Sequence, residues 1–120
     1  MTDRSLFGRR VLIVEDESLM AILLEDMLAE LGCEIVGVAG RLEDALHVIQ
    51  SQTLDAVVLD VNLGGELSYP AADALMALGI PFTFSTGYDR LQNGYDSLPR
   101  LQKPYDMKRL EKMLTELFDR

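Results

Sequence analysis

The chain has 120 residues, the size of one compact domain, and its 48% hydrophobic and 26% charged content is that of an ordinary globular protein, neither fibrous nor membrane-spanning. Eleven basic against twenty acidic side chains leave a net charge of −9. The chain as a whole therefore repels a phosphate backbone or an anionic bilayer, which argues against nucleic acid and membrane as partners. The start MTDRSLFGRR has no apolar segment long enough for a signal-peptide core and the C-terminus has no lipidation motif, so a cytoplasmic protein with a single domain over 1–120 is expected.

In chain order, Val11 to Val14 reads as a strand, the EDES loop follows, and Met20, Leu23, Leu24, Met27, Leu28 and Leu31 recur at helical spacing up to Gly32. Cys33 has no second thiol for a disulfide and reads as a small buried side chain. EIVGVA, Glu34 to Ala39, is a second strand. Leu42, Ala45, Leu46 and Ile49 (i, i+3, i+4, i+7) mark a second helix, in which His47 has no ligand partner nearby and reads as a surface or boundary residue. Ala56 to Asp60 is strand three. The loop VNLGGELSY then leads to Pro70, which suits the first turn of a helix running through Leu78. Pro81 to Ser85 is strand four. From Thr86 to Pro99 turn residues dominate and core anchors are few, so a loop with at most one helical turn is expected. Arg100 to Lys103 is strand five, and Asp106 caps a last helix with the stripe Met107, Leu110, Met113, Leu114, Leu117 and Phe118. Strands alternating with helices imply parallel pairing through right-handed crossovers, and strands apolar almost throughout imply helices on both faces. The expected class is α/β, flavodoxin-like, with five parallel strands.

In such a sheet, ligands bind at the carboxyl ends of the strands. Strand one ends in Glu15, Asp16 and Glu17, strand three in Asp60 with Asn62 two residues on, strand four in Ser85 and Thr86, and strand five in Lys103. Any one of these alone reads as a loop surface residue; four matching strand ends together do not. Clustered carboxylates repel unless a divalent cation neutralises them, and hard oxygens suit Mg²⁺, placed between Asp16 and Asp60. A carboxylate beside Mg²⁺ can attack phosphorus, while an ammonium and a hydroxyl, Lys103 and Thr86, stabilise the oxygens of the transferring group.

The combination VLIVEDE, VVLDVNLGG, a hydroxyl residue ending strand four, and LQKPYDMKRL resembles the receiver domain of two-component response regulators from about Arg9 to Phe118. The resemblance implies a CheY-like sheet whose fourth helix is short or absent here. It implies that Glu15 and Asp16 are the acidic pair, Asp60 the phosphoacceptor, the Asn62 main-chain carbonyl a metal ligand, Thr86 the switch hydroxyl and Lys103 the phosphoryl-binding lysine. PFTFSTGYD further resembles the FAT GUY subgroup, often stand-alone proteins of alphaproteobacterial stress signalling, with Ser85 where alanine is common. The position three before Lys103, usually aromatic and coupled to the switch hydroxyl, is Arg100. Tyr88 and Tyr95 are the aromatics available to substitute, and Tyr88 reads equally well as a packing residue.

The expected function is that of a single-domain response regulator. It takes a phosphoryl group from a sensor histidine kinase or a histidine phosphotransfer protein onto Asp60 with Mg²⁺, turns over no external substrate, and signals to a downstream protein target. A phosphate sink needs no such target. The rival phosphohydrolase of the haloacid dehalogenase kind requires D-x-D-x-T, whereas Asp60 is followed by VNLG. The other rival, a non-phosphorylated adaptor, does not account for five intact polar positions at the strand ends.

Overall fold

The computed structural model describes residues 6–87 and 91–119. In chain order the elements are β1 (Arg10–Val14), α1 (Ser18–Glu30), β2 (Glu34–Ala39), α2 (Leu42–Ser51), β3 (Ala56–Asp60), β4 (Asn62–Leu63), β5 (Glu66–Leu67), α3 (Tyr69–Leu78), β6 (Phe82–Thr86), β7 (Arg100–Gln102) and α4 (Met107–Phe118). The main sheet has the order β2-β1-β3-β6-β7, and each neighbouring pair is parallel. The chain runs from β1 outward to β2 and then returns past β1 to β3. The strand order therefore reverses between β1 and β3, which opens a crevice at their carboxyl ends.

Alternation along the strands divides the interior into two cores. Leu12, Val14, Val57, Leu59 and Phe84 face one side and pack with Ala45 and Ile49 of α2 and Ala71, Ala72 and Leu75 of α3. Val11, Ile13, Ala56 and Val58 face the other and pack with Leu24 and Leu28 of α1 and Leu110, Leu114 and Leu117 of α4. Helices thus cover both faces, as expected. β1, from its second residue, and all of β3 are buried on both sides, whereas β2, at the sheet edge, buries only Ala39. Asp106 caps α4 by accepting a hydrogen bond from the Arg109 N–H at 2.9 Å, and Pro70 lies in the first turn of α3, where its missing N–H leaves no gap. Cys33 is buried, with Sγ 3.5 Å from the Leu6 carbonyl; burial pushes its thiol above the ordinary range. His47 is exposed.

The segment expected as plain loop after β3 is instead a hairpin, β4–β5. Its two connecting residues, Gly64 and Gly65, have φ of +64° and +99°. Two consecutive positive φ values make the tight turn whose twist matches paired strands, and glycine reaches them without steric cost. β6 is one residue later than Pro81 to Ser85, and β7 stops at Gln102. Among the described residues of 87–99 there is no helix. Main-chain bonds from Tyr95 N–H to Gln92 O (3.0 Å) and from Leu98 N–H to Tyr95 O (3.1 Å) shape turns instead. This stretch is better anchored than its composition implies, because Leu91 is buried and Tyr95 and Leu98 pack on the α2/α3 core. No helix among the described residues is long and apolar enough to cross a membrane.

Candidate functional site

Each chemically distinctive side chain reaches the crevice because its strand ends there. β1 delivers Glu15 and Asp16, β3 delivers Asp60, and β7 delivers Lys103, whose N–H is tied to the Thr86 carbonyl at 2.8 Å. An open cleft of about 450 Å³ is lined by Glu15, Asp16, Glu17, Asp60, Asn62, Gly64, Gly65 and Gly87. Glu15 and Asp60 are buried, at 6% and 8% exposure, while Asp16 is exposed at the mouth. One oxygen from each of these three carboxylates lies within 4.8 Å of the other two. Lys103 Nζ donates to Glu15 Oε1 at 3.0 Å and to Asp60 Oδ2 at 3.3 Å.

Two buried acids share one ammonium, and their protonation diverges as a result. Burial, then the hydrogen bond and charge of Glu15, push Asp60 up to about 7 against the pull of Lys103. Burial also acts to raise Glu15, but hydrogen bonds from Asp60, Lys103 and the Glu17 N–H (3.2 Å) outweigh it and hold Glu15 below the usual carboxylate range. The pair holds one proton near neutrality, on Asp60 and toward Glu15. Lys103 stays above its ordinary value; burial lowers it, but the two carboxylates more than compensate.

The hairpin shapes the cleft wall. In a two-residue hairpin the flanking pair Leu63/Glu66 is the hydrogen-bonded one, so Asn62, opposite Leu67, turns its own N–H and C=O away from β5. That N–H reaches Asp60 Oδ1 at 3.4 Å, and the Asn62 side-chain oxygen accepts from the Gly65 N–H at 2.6 Å. Asn62, the residue whose main-chain carbonyl is the expected metal ligand, lines the cleft. A Cβ on Gly64 would stand 3.5 Å from Asp16 Oδ2. Three carboxylate oxygens form a hard donor set that one lysine neutralises incompletely, and these residues fit Mg²⁺.

Thr86 ends β6, adjoining β3, where Asp60 pairs with Ser85. It is 1% exposed, and the cleft wall on its side is Gly87. Arg100 is exposed on β7. Tyr88 lies outside the described residues. Tyr95 packs its ring 4.4 Å from that of Tyr69 and 6.3 Å from that of Phe84, and its hydroxyl donates to Asp73 of α3 at 2.8 Å, a bond that raises its own proton affinity. Two residues near the site carry no sequence signal. Ser68, wholly buried, donates Oγ–H to the Asp60 main-chain carbonyl at 2.5 Å. Tyr105, two residues before α4, has its hydroxyl raised by burial, opposed by a hydrogen bond with Ser85. Neither stands at a strand end, so only the fold brings them near.

This arrangement has known counterparts. The family model of the response regulator receiver domain matches residues 11–115. The chain belongs to that family. Receiver domains are phosphoacceptors, and this receiver's five-stranded parallel sheet is shared with solved ones. The solution structure of SdrG from Sphingomonas melonis Fr1 is 43% identical, with a TM-score of 0.82, covering 93% of this chain and 97% of that one. The receiver domain of the Erythrobacter litoralis PhyR response regulator is 28% identical, with a TM-score of 0.84 over 96% of this chain and 93% of that one. Among curated proteins, the transcriptional regulatory protein PdtaR of Mycobacterium tuberculosis is 33% identical over 108 residues, 85% of this chain and 53% of PdtaR. The receiver thus spans about half the length of such curated relatives.

Proposed function

We propose that Asp60 accepts a phosphoryl group from a phosphohistidine of a sensor histidine kinase or histidine phosphotransfer protein. The observation carrying this reading is the placement of a buried carboxylate at the crevice between β1 and β3, 3.3 Å from a lysine ammonium and beside two further acids. The Asp60 carboxylate oxygen attacks phosphorus, the phosphorus–nitrogen bond breaks, and the electron pair returns to the imidazole, which takes up a proton. Lys103 balances charge on the transferred group, and Thr86, one residue beyond the strand neighbour of Asp60, supplies a hydroxyl to it. Glu15, Asp16, Asp60 and the Asn62 carbonyl would hold Mg²⁺, which when bound offsets the negative charge of the incoming phosphate.

α1 favours a protein donor over a small one. Leu19, Ile22 and Leu23 are 63%, 53% and 47% exposed on the helix that starts directly after the acidic loop. A donor bringing its histidine over Asp60 covers this apolar surface, and its burial helps hold the complex. SdrG matches this chain nearly end to end, which supports a stand-alone regulator, and the resemblance to a PhyR stress response regulator supports a role in stress signalling. Its output is a contact with a downstream protein.

The deciding experiment incubates the parent and Asp60→Asn with acetyl phosphate and Mg²⁺ and follows phosphorylation by intact-protein mass spectrometry. The parent gains one phosphoryl group and the variant none. Equal incorporation in the variant would place the acceptor elsewhere.

A further inference from the structure

The main chain at Asp60 is gripped from eight positions further along the sequence. Ser68 is wholly buried; its hydroxyl donates to the Asp60 carbonyl at 2.5 Å, and its own N–H donates to the Val61 carbonyl at 2.9 Å. One residue thus holds two successive carbonyls. β3 ends at Asp60, so the sheet no longer guarantees a partner for a buried carbonyl there, and leaving one unsatisfied is costly. The same two bonds close the loop 61–67, which contains the β4–β5 hairpin and the cleft residues Asn62, Gly64 and Gly65.

Helix formation does not account for this hydroxyl. Ser68 stands at the N-cap of α3, where a serine side chain ordinarily accepts a hydrogen bond from the first turn, yet it makes no such bond. Its carbonyl accepts from the N–H groups of Ala71 (2.9 Å) and Ala72 (3.3 Å), which mounts Ser68 on the helix. The hydroxyl is left for Asp60. The Asp60 carboxylate in turn is held at both oxygens, Oδ1 by the Asn62 N–H at 3.4 Å and Oδ2 by the Lys103 ammonium at 3.3 Å. The Asn62 N–H belongs to the peptide unit directly after the one that Ser68 Oγ fixes. Turning that first unit would carry the Asn62 N–H off its oxygen and shift the hairpin with it.

We infer that Ser68 is a positioning residue for phosphoryl acceptance: mounted on α3, it sets the direction of the Asp60 carboxylate and the place of the hairpin, and through them both Mg²⁺ affinity and reaction rate. Being wholly buried, it acts only through Asp60 and the loop. Misplacing a reacting group by about 1 Å costs on the order of 100-fold in rate. The rate part of this role rests on Asp60 being the acceptor, whereas main-chain order and metal affinity in the unphosphorylated chain do not. Persistent phosphorylation of Asp60→Asn would therefore remove the acceptor reading and leave those two measurements to decide the role of Ser68.

The test compares the full chain with three variants. Ser68→Ala removes the hydroxyl, Ser68→Cys keeps nearly its shape but donates weakly, and Thr83→Val removes another wholly buried hydroxyl, bonded to the Phe84 carbonyl at 3.0 Å. In the metal-free Ser68→Ala protein, amide exchange at Asn62 and residue 68 should quicken at least ten-fold more than at Val57 and Val58, with no such local excess in Thr83→Val. Mg²⁺ titration followed by amide shifts should give an affinity at least five-fold lower in Ser68→Ala, and phosphorylation by acetyl phosphate at saturating Mg²⁺ should slow at least ten-fold. Thr83→Val should stay within two-fold of the parent in both, whatever its melting temperature. Ser68→Cys should fall between the parent and Ser68→Ala, and it keeps the test decisive should Ser68→Ala misfold. The inference is overturned if the Ser68 variants bind Mg²⁺ as tightly as the parent, if their exchange quickens evenly across the sheet, or if Thr83→Val loses as much Mg²⁺ affinity as they do.

Discussion

Asp60 is a carboxyl group that holds its proton near neutral pH, and this bears on both stability and metal binding. Its folded value of about 7 lies above the ordinary 3.8, so between those limits the folded state binds more protons than the unfolded one. The stabilisation is complete below about pH 4 and is lost as pH rises through 7. Glu15 contributes with the opposite sign, but its lowered value moves that effect below pH 4.5, leaving the neutral window to Asp60. Without Mg²⁺, thermal denaturation should show the parent losing stability from pH 5.5 to pH 8 relative to Asp60→Asn, by on the order of a few kcal/mol. Because a cation must displace the shared proton, Mg²⁺ affinity should also rise with pH across this window. Calorimetry in buffers of differing ionisation enthalpy should record proton release near pH 6.5 that fades by pH 8.5. Release that does not vary with pH would contradict the assignment of the proton to this pair.

At the scale of elements, the ends of β6 and β7 present the groups that a phosphoryl on Asp60 would engage, Thr86 in β6 and Lys103 just after β7, joined through the Thr86 carbonyl and the Lys103 N–H at 2.8 Å. The stretch between them leans on α3 through the Tyr95 hydroxyl bond to Asp73 and the ring contact with Tyr69. Movement of Thr86 would therefore strain contacts to α3 as well as the loop itself. Beryllium fluoride, a phosphoryl mimic, should change amide exchange over residues 91–103 in the parent and change it at least three-fold less in Thr86→Ala. Equal changes in both would show that the signal bypasses Thr86. Much at this scale was legible beforehand. Val11 to Val14 and Ala56 to Leu59 are continuously apolar runs that read as central strands, and Asp106 and Pro70 announce helix starts by their own chemistry. The β4–β5 hairpin was not legible as strands, because two residues per strand show no periodicity; only the Gly64-Gly65 pair hinted at it. The anchoring of Leu91 and Tyr95 depends on a core that composition cannot locate.

At the scale of the molecule, the strand-end argument recovered Glu15, Asp16, Asp60 and Lys103 as neighbours because a parallel sheet with one switch point leaves a single place for them to meet. Ser68 and the shared proton escaped it. Both depend on distances between elements, which no strand end announces. A different property of the whole follows from the guanidinium of Arg9, which stacks 4.2 Å from the centre of the Phe118 ring. Arg9 leads into β1, so this contact lies at the pole opposite Asp60. Sequence joined to either end would hang from the far pole and leave the crevice open to a donor. Linking residue 118 to residue 6 by a glycine-serine tether, which keeps the fully buried Leu6, with new ends opened at Gly65, should therefore give a circular permutant that folds and accepts phosphate from acetyl phosphate, with Mg²⁺ affinity lowered because the cut falls in the cleft wall. Opening the chain at Gln52 instead, a residue outside that wall, should leave Mg²⁺ affinity within two-fold of the parent. A domain wired in this way can be rearranged along the gene while its chemistry stays in place.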